Sequence, residues 1–161
     1  MVLIILGFFF MSGNPFFTQE RPGKNEKIFK LIKFRTMDNR KDKEGNLLPD
    51  EIRLNKYGRF LRASSLDELP ELVNILKGDM SLIGPRPIVD GEIEKYGENK
   101  DKFLSVRPGL TGYWAANGRS DITYEERMKM ELYYVDNISF KLDIQIFFKT
   151  IISVIKKEGA M

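Results

Sequence analysis

The chain of 161 residues opens with an uninterrupted apolar run of eleven residues, MVLIILGFFFM, which the turn-forming stretch SGNP follows. A helix that crosses a bilayer needs about 20 apolar residues, so this run is too short to span one. It also lacks the basic leader and the small-residue cleavage site of a signal peptide. The run is therefore either a buried core element or a segment that dips into or lies on a membrane.

Alternating apolar and polar residues follow this run, and they predict a β-hairpin. The stretches FFTQE and EKIFKLIKFRT flank a Pro-Gly turn within RPGKN. In the second arm, Phe29, Leu31 and Lys33 share one face of the strand. The other face carries Ile28, Lys30, Ile32 and Phe34. The polar segment 37–51 contains glycine and proline, and it predicts a loop.

The pattern changes to a helical period after this loop. One face of the predicted helix carries Leu69, Leu72, Val73 and Leu76, at the spacing i, i+3, i+4 and i+7. Ser65 and Glu68 have the spacing of a capping box at the start of this helix, and Pro70 lies within its first turn. Gly78 lies where a C-terminal cap is expected.

Two helices are predicted near the C-terminus, after two Gly/Pro-rich loops, SLIGPRP and VRPGLTGYW. The first helix covers Ile122–Asn137. The second begins after Ser139, a plausible cap, and is apolar around more than half its circumference, so it must be buried, packed on a partner or lying in a membrane interface. We predict a mixed, helix-rich α/β fold. It has an apolar, membrane-associating segment at 1–14 and a single domain at 15–161.

Composition narrows the chemistry that this fold can perform. The absence of cysteine and histidine excludes disulfides, thiolate nucleophiles, the commonest general base and the usual zinc ligand. Any metal must bind through oxygen, which favours Mg²⁺ or Ca²⁺. The net charge of +3 is modest, but basic residues cluster locally. This pattern suits a bound phosphate or an anionic membrane better than nucleic acid, for which the chain carries no recognised motif.

The stretch SSLDELPEL places two carboxylates, Asp67 and Glu68, directly after one another. One interpretation is structural, since carboxylates in a first helical turn cap N–H groups and complement the helix dipole. The other is catalytic. The helix N-terminus and nearby arginines would lower the pKa of Asp67 and keep it ionised as a nucleophile, and Arg62 would help to bind a diphosphate with Mg²⁺. Both interpretations can hold together.

Four blocks of the sequence resemble, in order, the bacterial sugar transferase family, the small monotopic polyprenyl-phosphate phosphoglycosyl transferases. The blocks are FTQERPGKNEKIFKLIKFRTM, LNKYGRFLRASSLDELPELVNILKGDMSLIGPRP, VRPGLTGYW with NGRSD, and YYVDNISFKLDIQIFFKT. The resemblance covers residues 2–157, and the blocks SLDELP and GDMSLIGPRP are long and specific. It implies transfer of a sugar-1-phosphate from a UDP-sugar to undecaprenyl phosphate, with release of UMP.

The resemblance also implies roles for particular residues. Asp67 would attack the β-phosphorus and form a covalent phospho-sugar intermediate, and Glu68 would be its partner in the dyad. Both would help to hold Mg²⁺. Arg62, Arg86 and Arg119 would bind the phosphates and the nucleotide. Further substrate-binding candidates are Arg107, Lys33 and Arg35.

The resemblance places such a chain on the cytoplasmic face of the inner membrane, as a monotopic or peripheral protein. It would serve exopolysaccharide, capsule or lipopolysaccharide O-antigen assembly there. A transferase that moves only the sugar is disfavoured because no Asp-x-Asp metal motif appears. The sugar, the pathway and the oligomeric state, a homodimer included, are left open.

The chain departs from the family pattern in two places. Only what resembles the second half of the N-terminal membrane helix is present, beginning at Met1. Ala115 and Ala116 stand where relatives commonly carry glutamine and a branched residue, and alanine lacks the amide that could hydrogen-bond a substrate. The alternative function is therefore a catalytically impaired, membrane-peripheral binding module with the same fold.

Overall fold

Helices dominate the computed structural model, which describes residues 1–11, 13–89, 91–117 and 122–156. The mixed, helix-rich α/β class predicted from the sequence is confirmed. The helices are α1 Val2–Phe10, α2 Asp50–Arg53, α3 Lys56–Ser64, α4 Glu71–Lys77, α5 Lys100–Leu104, α6 Tyr113–Asn117, α7 Tyr124–Asp136 and α8 Phe140–Lys156. The strands are β1 Phe16–Pro22, β2 Ile28–Phe34, β3 Ser81–Ile83 and β4 Gly109–Thr111. Short 3-10 turns cover Lys24–Glu26, Leu66–Glu68 and Ile93–Asn99.

The chain forms two compact units. Met1–Thr18 and Ile32–Pro70 belong to the first unit, and Gln19–Leu31 and residues 71–156 belong to the second. Strands β1 and β2 pair in a two-stranded sheet, as the hairpin prediction requires. The division of the sequence at residue 14 stays a prediction.

The first unit has a core of aromatic and aliphatic side chains. Met11, Phe34, Tyr57 and Leu61 are buried there. The Tyr57 hydroxyl donates a hydrogen bond of 2.7 Å to the carbonyl oxygen of Leu3 in α1. Gly7 allows α1 to approach the core, because a Cβ at this position would lie 2.7 Å from the Cβ of Pro15.

Most of α1 is exposed nonetheless. Gly7 is its buried residue, and several large apolar side chains are open to solvent, among them Ile5, Phe8, Phe9 and Phe10. The interpretation of the apolar run as a buried core element is therefore wrong for most of the run, and it holds for Gly7 and Met11.

No helix in the described ranges combines the length and the apolar character needed to traverse a bilayer.

Helix α3, which the sequence analysis did not predict, packs against the main chain that follows β2. Asn55 caps its start by accepting a hydrogen bond of 3.0 Å from the Gly58 amide. A Cβ at Gly58 would overlap the carbonyl oxygen of Thr36, so only glycine permits this approach. Ser65 ends α3 in the left-handed conformation, with φ of 54°.

The predicted capping box at Ser65 and Glu68 is wrong. Ser65 closes α3, a single 3-10 turn covers Leu66–Glu68, and α4 begins only at Glu71. The Ser65 side chain makes no capping hydrogen bond to the turn. The C-terminal cap prediction agrees with the structure, since α4 ends at Lys77 and Gly78 has φ of +81°.

Helix α4 turns its polar side inward and its apolar side outward. Glu71 and Asn74 are 2% and 1% exposed, and the Asn74 side-chain amide donates a hydrogen bond of 2.8 Å to the carbonyl oxygen of Lys30. The apolar face predicted from the helical period is exposed instead, and its members are Leu69, Leu72, Val73 and Leu76. The period identified the helix, but it did not identify the side that packs.

The second unit contains a short parallel pair of strands within segments predicted as loops. Ser81 pairs with Gly109, and Ile83 pairs with Thr111. A Cβ at Gly109 would overlap the Gly84 amide. The glycines of these segments therefore allow the two main chains to pack closely, and they do not mark loops. Gly84 follows β3 directly, and Pro108 and Gly112 flank β4.

Helices α7 and α8 follow the sequence prediction. Thr123 and Glu126 form a capping box at the start of α7, and the Ser139 hydroxyl accepts a hydrogen bond of 3.3 Å from the Leu142 amide at the start of α8. Ile146 of α8 is buried beside Ile83 and Tyr134. The rest of the apolar surface of α8 is largely exposed, including Phe140, Ile144, Phe147, Phe148 and Ile152.

Candidate active site

The acidic pair lies on the 3-10 turn between α3 and α4, in the first unit. Leu66, the first residue of this turn, packs against the buried cluster that contains Leu61. The turn is closed by a hydrogen bond of 3.2 Å from the Leu69 amide to the Leu66 carbonyl. Asp67 and Glu68 are therefore presented by a short turn that is fixed to the core on one side, and both remain half-buried.

Lys33 is the direct partner of Glu68. Its ammonium nitrogen lies 2.9 Å from Glu68 Oε1, and the two side chains are 19% and 24% exposed. Lys33 lies on β2, 35 residues before Glu68 in the sequence. The fold thus places Lys33, a predicted substrate-binding residue, in direct contact with Glu68 of the predicted dyad.

Arg62 lies in the last turn of α3. Its Nε donates a hydrogen bond of 3.2 Å to Thr36 Oγ1. The positive charges of Lys33 and Arg62 both act to lower the pKa of Asp67. Four predicted site residues are therefore together in the first unit: Lys33, Arg62, Asp67 and Glu68.

The pKa of Asp67 is nevertheless raised above its usual range, so the expectation of a lowered value is wrong. Burial is the largest cause, and the adjacent charge of Glu68 adds to it. The N-terminus of α4 was expected to oppose these effects, but the helix begins at Glu71, beyond the dyad. A carboxylate with a raised pKa is a more basic nucleophile when it is ionised.

The dyad fits a Mg²⁺ ion that is shared with phosphate. Mg²⁺ is usually bound through one or two carboxylates together with water and substrate phosphates. No group of three or more acidic, cysteine or histidine side chains able to hold a metal occurs in the described part of the chain, so the protein offers no complete cage. Burial and then the charge of Glu68 act to raise the pKa of Asp67, and a cation held by both carboxylates would offset the repulsion between them.

Arg35 is tied to the main chain of the first unit. Its amide donates a hydrogen bond of 2.8 Å to the Pro15 carbonyl, and its guanidinium donates one of 3.4 Å to the Phe16 carbonyl. These contacts fix the residue after β2 to Pro15 and to the first residue of β1. Its substrate-binding role stays a prediction.

In the second unit, Arg86 belongs to a cluster built on α7. Its amide donates a hydrogen bond of 3.1 Å to Glu131 Oε1, and its guanidinium carbon lies 5.6 Å from the centre of the Trp114 ring. Arg127 lies 4.7 Å from the same ring. Glu131 is 1% exposed, and burial raises its pKa to about 7. A small cavity is lined by Arg86, Trp114, Ala115 and Glu131, among others.

The two remaining predicted arginines have different positions. Arg107 is exposed, and its Nε donates a hydrogen bond of 2.9 Å to the Gly78 carbonyl. Arg119 lies outside the described residues.

A match along almost the whole chain identifies the family. Residues 1–157 match the family described as bacterial sugar transferase. This chain is a member of that family. The resemblance predicted from the four sequence blocks is confirmed.

The chain is similar to several transferases and polysaccharide-production proteins. It is 49% identical to the sugar transferase EpsL of Bacillus subtilis, over 91% of this chain and 73% of that protein. It is 39% identical to the undecaprenyl-phosphate galactose phosphotransferase of Salmonella typhimurium, over 92% of this chain and 35% of that protein. It is 37% identical to the exopolysaccharide production protein ExoY of Sinorhizobium fredii, over 99% of this chain and 79% of that protein. The chain thus spans about a third of the Salmonella protein and about three quarters of the other two.

Sequence reasoning missed Thr36, Trp114, Arg127 and Glu131 as neighbours of candidate site residues. One signal for Glu131 was available in the sequence. Tyr124, Met128 and Glu131 recur at i, i+4 and i+7 on α7, so the glutamate belongs to the face that packs inward. A charged residue at such a position is costly unless it bonds to something, and here it accepts the Arg86 amide.

Proposed function

We propose that this chain transfers a sugar-1-phosphate from a UDP-sugar to undecaprenyl phosphate and releases UMP, with Asp67 as the covalent nucleophile. The observation that carries the proposal is the Asp67–Glu68 dyad on its turn, with Lys33 and Arg62 as cationic neighbours. The chain contains no histidine or cysteine that could serve instead. The Salmonella relative is named for the same class of transfer.

The chemistry needs two displacements at one phosphorus atom. An Asp67 carboxylate oxygen attacks the β-phosphorus of the UDP-sugar, and the bond to the bridging oxygen breaks. UMP leaves with that electron pair, and an aspartyl phospho-sugar remains. A phosphate oxygen of undecaprenyl phosphate then attacks the same phosphorus, and the bond to Asp67 breaks. The products are the undecaprenyl diphosphate-sugar and a regenerated carboxylate.

The side chains around Asp67 supply positive charge for these steps. The guanidinium of Arg62 and the ammonium of Lys33 would bind phosphate oxygens as charge develops on the leaving UMP. Asp67 and Glu68 are the residues that would hold Mg²⁺, which when bound neutralises phosphate charge. Arg35, Arg86, Arg107 and Arg119 are proposed as further substrate-binding residues on the strength of the resemblance.

We also propose that the chain works at the cytoplasmic face of the inner membrane, in the first membrane step of exopolysaccharide or capsule synthesis. The acceptor is a lipid, so the enzyme must reach a bilayer surface. The exposed phenylalanines of α1 and the exposed apolar side chains of α8 support contact with lipid.

The decisive experiment uses the full chain reconstituted with undecaprenyl phosphate, Mg²⁺ and a panel of UDP-sugars. We expect UMP release with at least one donor and, without acceptor, a phospho-sugar adduct on the peptide that contains Asp67, detected by mass spectrometry. Asp67→Asn should reduce UMP release by about a thousandfold or more. EDTA should stop the reaction, and added Mg²⁺ should restore it. Activity should also fall as the pH drops below the raised pKa of Asp67, because the protonated carboxyl is not a nucleophile.

Asp50→Asn is the matched control. Asp50 is an exposed aspartate of the first unit, paired with Arg53 on the surface, and its substitution should leave UMP release unchanged. Release of UDP instead of UMP, or full activity of Asp67→Asn, would contradict the proposal. Liposome binding without turnover for any donor would favour the binding-module alternative.

A further inference from the structure

We propose that Thr36 is a positioning residue for Arg62: its hydroxyl fixes the orientation in which the guanidinium meets the diphosphate of the donor. The inference rests on the proposed function, because it concerns how the same site binds its substrate. Thr36 lies two residues after β2, and it is half-buried like Arg62.

The contact restrains the guanidinium at one defined atom. Arg62 Nε donates a hydrogen bond of 3.2 Å to Thr36 Oγ1. Among the described residues, this is the one hydrogen bond of the Arg62 side chain. The guanidinium is planar and its five N–H groups have fixed directions. Fixing the Nε–H therefore also restricts the directions of the four N–H groups on Nη1 and Nη2, which remain for phosphate oxygens.

The position of the Thr36 hydroxyl is itself set by the fold. The carbonyl oxygen of Thr36 lies so close to Gly58 that a Cβ there would overlap it. Gly58 and Arg62 are four residues apart on α3, so they lie on the same face of the helix. One face of α3 thus contacts Thr36 twice. Gly58 packs against the main-chain carbonyl of Thr36, and Arg62 donates a hydrogen bond to the Thr36 hydroxyl.

A threonine suits this role for a further reason. Its branched Cβ restricts rotation about χ1, so the hydroxyl of a fixed main chain keeps its position. Without that acceptor, the long Arg62 side chain would sample more rotamers, and substrate binding would have to overcome the entropy of ordering them. The charge of Arg62 already acts on Asp67, so its orientation bears on the reacting group.

The test compares Thr36→Val, which removes the hydroxyl at nearly constant shape, with Thr36→Ser, which keeps it. We expect Thr36→Val to lower kcat/KM for the UDP-sugar about tenfold, and Thr36→Ser to remain within about threefold of the wild type. Thr150→Val is the matched control, because it removes a threonine hydroxyl bonded over 2.8 Å to Thr111 in the second unit. It should leave kcat/KM unchanged.

A double-mutant cycle with Arg62→Lys separates positioning from a purely structural role. Lysine has neither an Nε–H nor a planar guanidinium for Thr36 to orient. Adding Thr36→Val to Arg62→Lys should therefore lower kcat/KM by less than about twofold relative to Arg62→Lys alone. Full additivity of the two substitutions, or a loss in Thr36→Ser equal to that in Thr36→Val, would overturn the inference. Thermal unfolding verifies that each variant is folded, and Thr36→Ala replaces Thr36→Val if valine prevents folding.

A second readout keeps this test independent of turnover. The Kd for UDP in the presence of Mg²⁺, measured by calorimetry, should rise in Thr36→Val and show the same coupling to Arg62→Lys. If the wild type binds UDP but releases no UMP from any donor, the proposed function fails while the positioning role is still decided by the Kd values. An unchanged Kd in Thr36→Val together with an unchanged kcat/KM would refute the positioning role itself.

Discussion

Glu131 shows at the scale of a single residue how a buried charge links stability to pH. One of its carboxylate oxygens accepts the Arg86 amide, and the other has no hydrogen-bond partner in the ranges that the structure describes. Burial raises the pKa of this carboxyl from 4.5 to about 7, although Arg127 and Arg86 oppose the shift. The ionised form therefore destabilises the folded state.

This shift predicts that stability falls as the pH rises from about 4.5 to about 7. The folded chain binds the Glu131 proton more tightly than the unfolded chain does, so the free energy of unfolding decreases across that window and stays low above it. The contribution is on the order of 3 kcal/mol at most. Glu131→Gln should raise the denaturant midpoint at pH 8 and have little effect at pH 5, measured by urea unfolding at both values.

Glu125→Gln provides the control, since Glu125 is an exposed glutamate on the same helix. It should leave the pH dependence of unfolding unchanged. An equal loss of stability in Glu131→Gln at both pH values would instead mean that the carboxylate is needed for packing and not penalised for its charge.

Residue contacts were predictable from the sequence only where they are local. The dyad was found because Asp67 and Glu68 are adjacent within a specific block. The bond from Arg62 to Thr36 joins residues 26 apart, and the bond from Arg86 to Glu131 joins residues 45 apart. No period or spacing in the chain encodes such pairs. The pKa of Asp67 was mispredicted for the same reason, since its largest cause is burial in the folded unit.

At the scale of elements, the approach of α3 to Thr36 gives a test of packing. Gly58→Ala should lower the free energy of unfolding by about 2 kcal/mol or more, because the new methyl group would overlap the Thr36 carbonyl. Helix propensity alone predicts that Gly58→Ala raises the free energy of unfolding by about 1 kcal/mol. The effects of propensity and of steric overlap on stability therefore have opposite signs. Chemical unfolding of the purified variant measures the result.

Arg59→Ala, at the exposed neighbouring position of α3, is the matched control and should stay within about 0.5 kcal/mol of the wild type. A stabilised Gly58→Ala variant would show that α3 can move away from Thr36 at no cost.

Long elements with caps were predicted well, and short elements were not. Helices α7 and α8 extend over 13 and 17 residues, which is enough for a period to appear, and each begins at a side-chain cap. Strands β3 and β4 have three residues each, and only their pairing with each other makes them strands. Their glycines were read as loop signals because the close approach they permit exists only in the folded chain.

At the scale of the whole molecule, the exposed apolar side chains predict how the chain partitions to lipid. Phe8 and Phe9 of α1 are 59% and 74% exposed. Replacing both with serine should lower co-sedimentation with anionic liposomes about tenfold or more, because each buried phenylalanine contributes about 1.5–3 kcal/mol on transfer from water. The unfolding midpoint should change little, since neither side chain belongs to a buried cluster of the described residues.

Leu47→Ser is the control for this prediction. Leu47 is an exposed apolar residue of the first unit in the loop between β2 and α2, and its loss should not alter liposome binding. Unchanged binding of the double phenylalanine variant would mean that α1 does not contact lipid.

The family could be predicted from the sequence alone because its blocks extend along nearly the whole chain. The organisation into two compact units could not. Both β1 and β2 run from one unit into the other, and no shift in composition marks the boundaries at Thr18, Leu31 and Pro70.

Because α4 buries its polar side, the effects of substitutions in this helix cannot be predicted from hydropathy. Hydropathy alone would predict that Leu76 is intolerant of substitution and that Asn74 tolerates it. Leu76 is 88% exposed, while the Asn74 amide holds the main chain of Lys30 from a position that is 1% exposed. A mutational map of this segment should therefore tolerate polar residues at the leucines and reject most replacements of the asparagine.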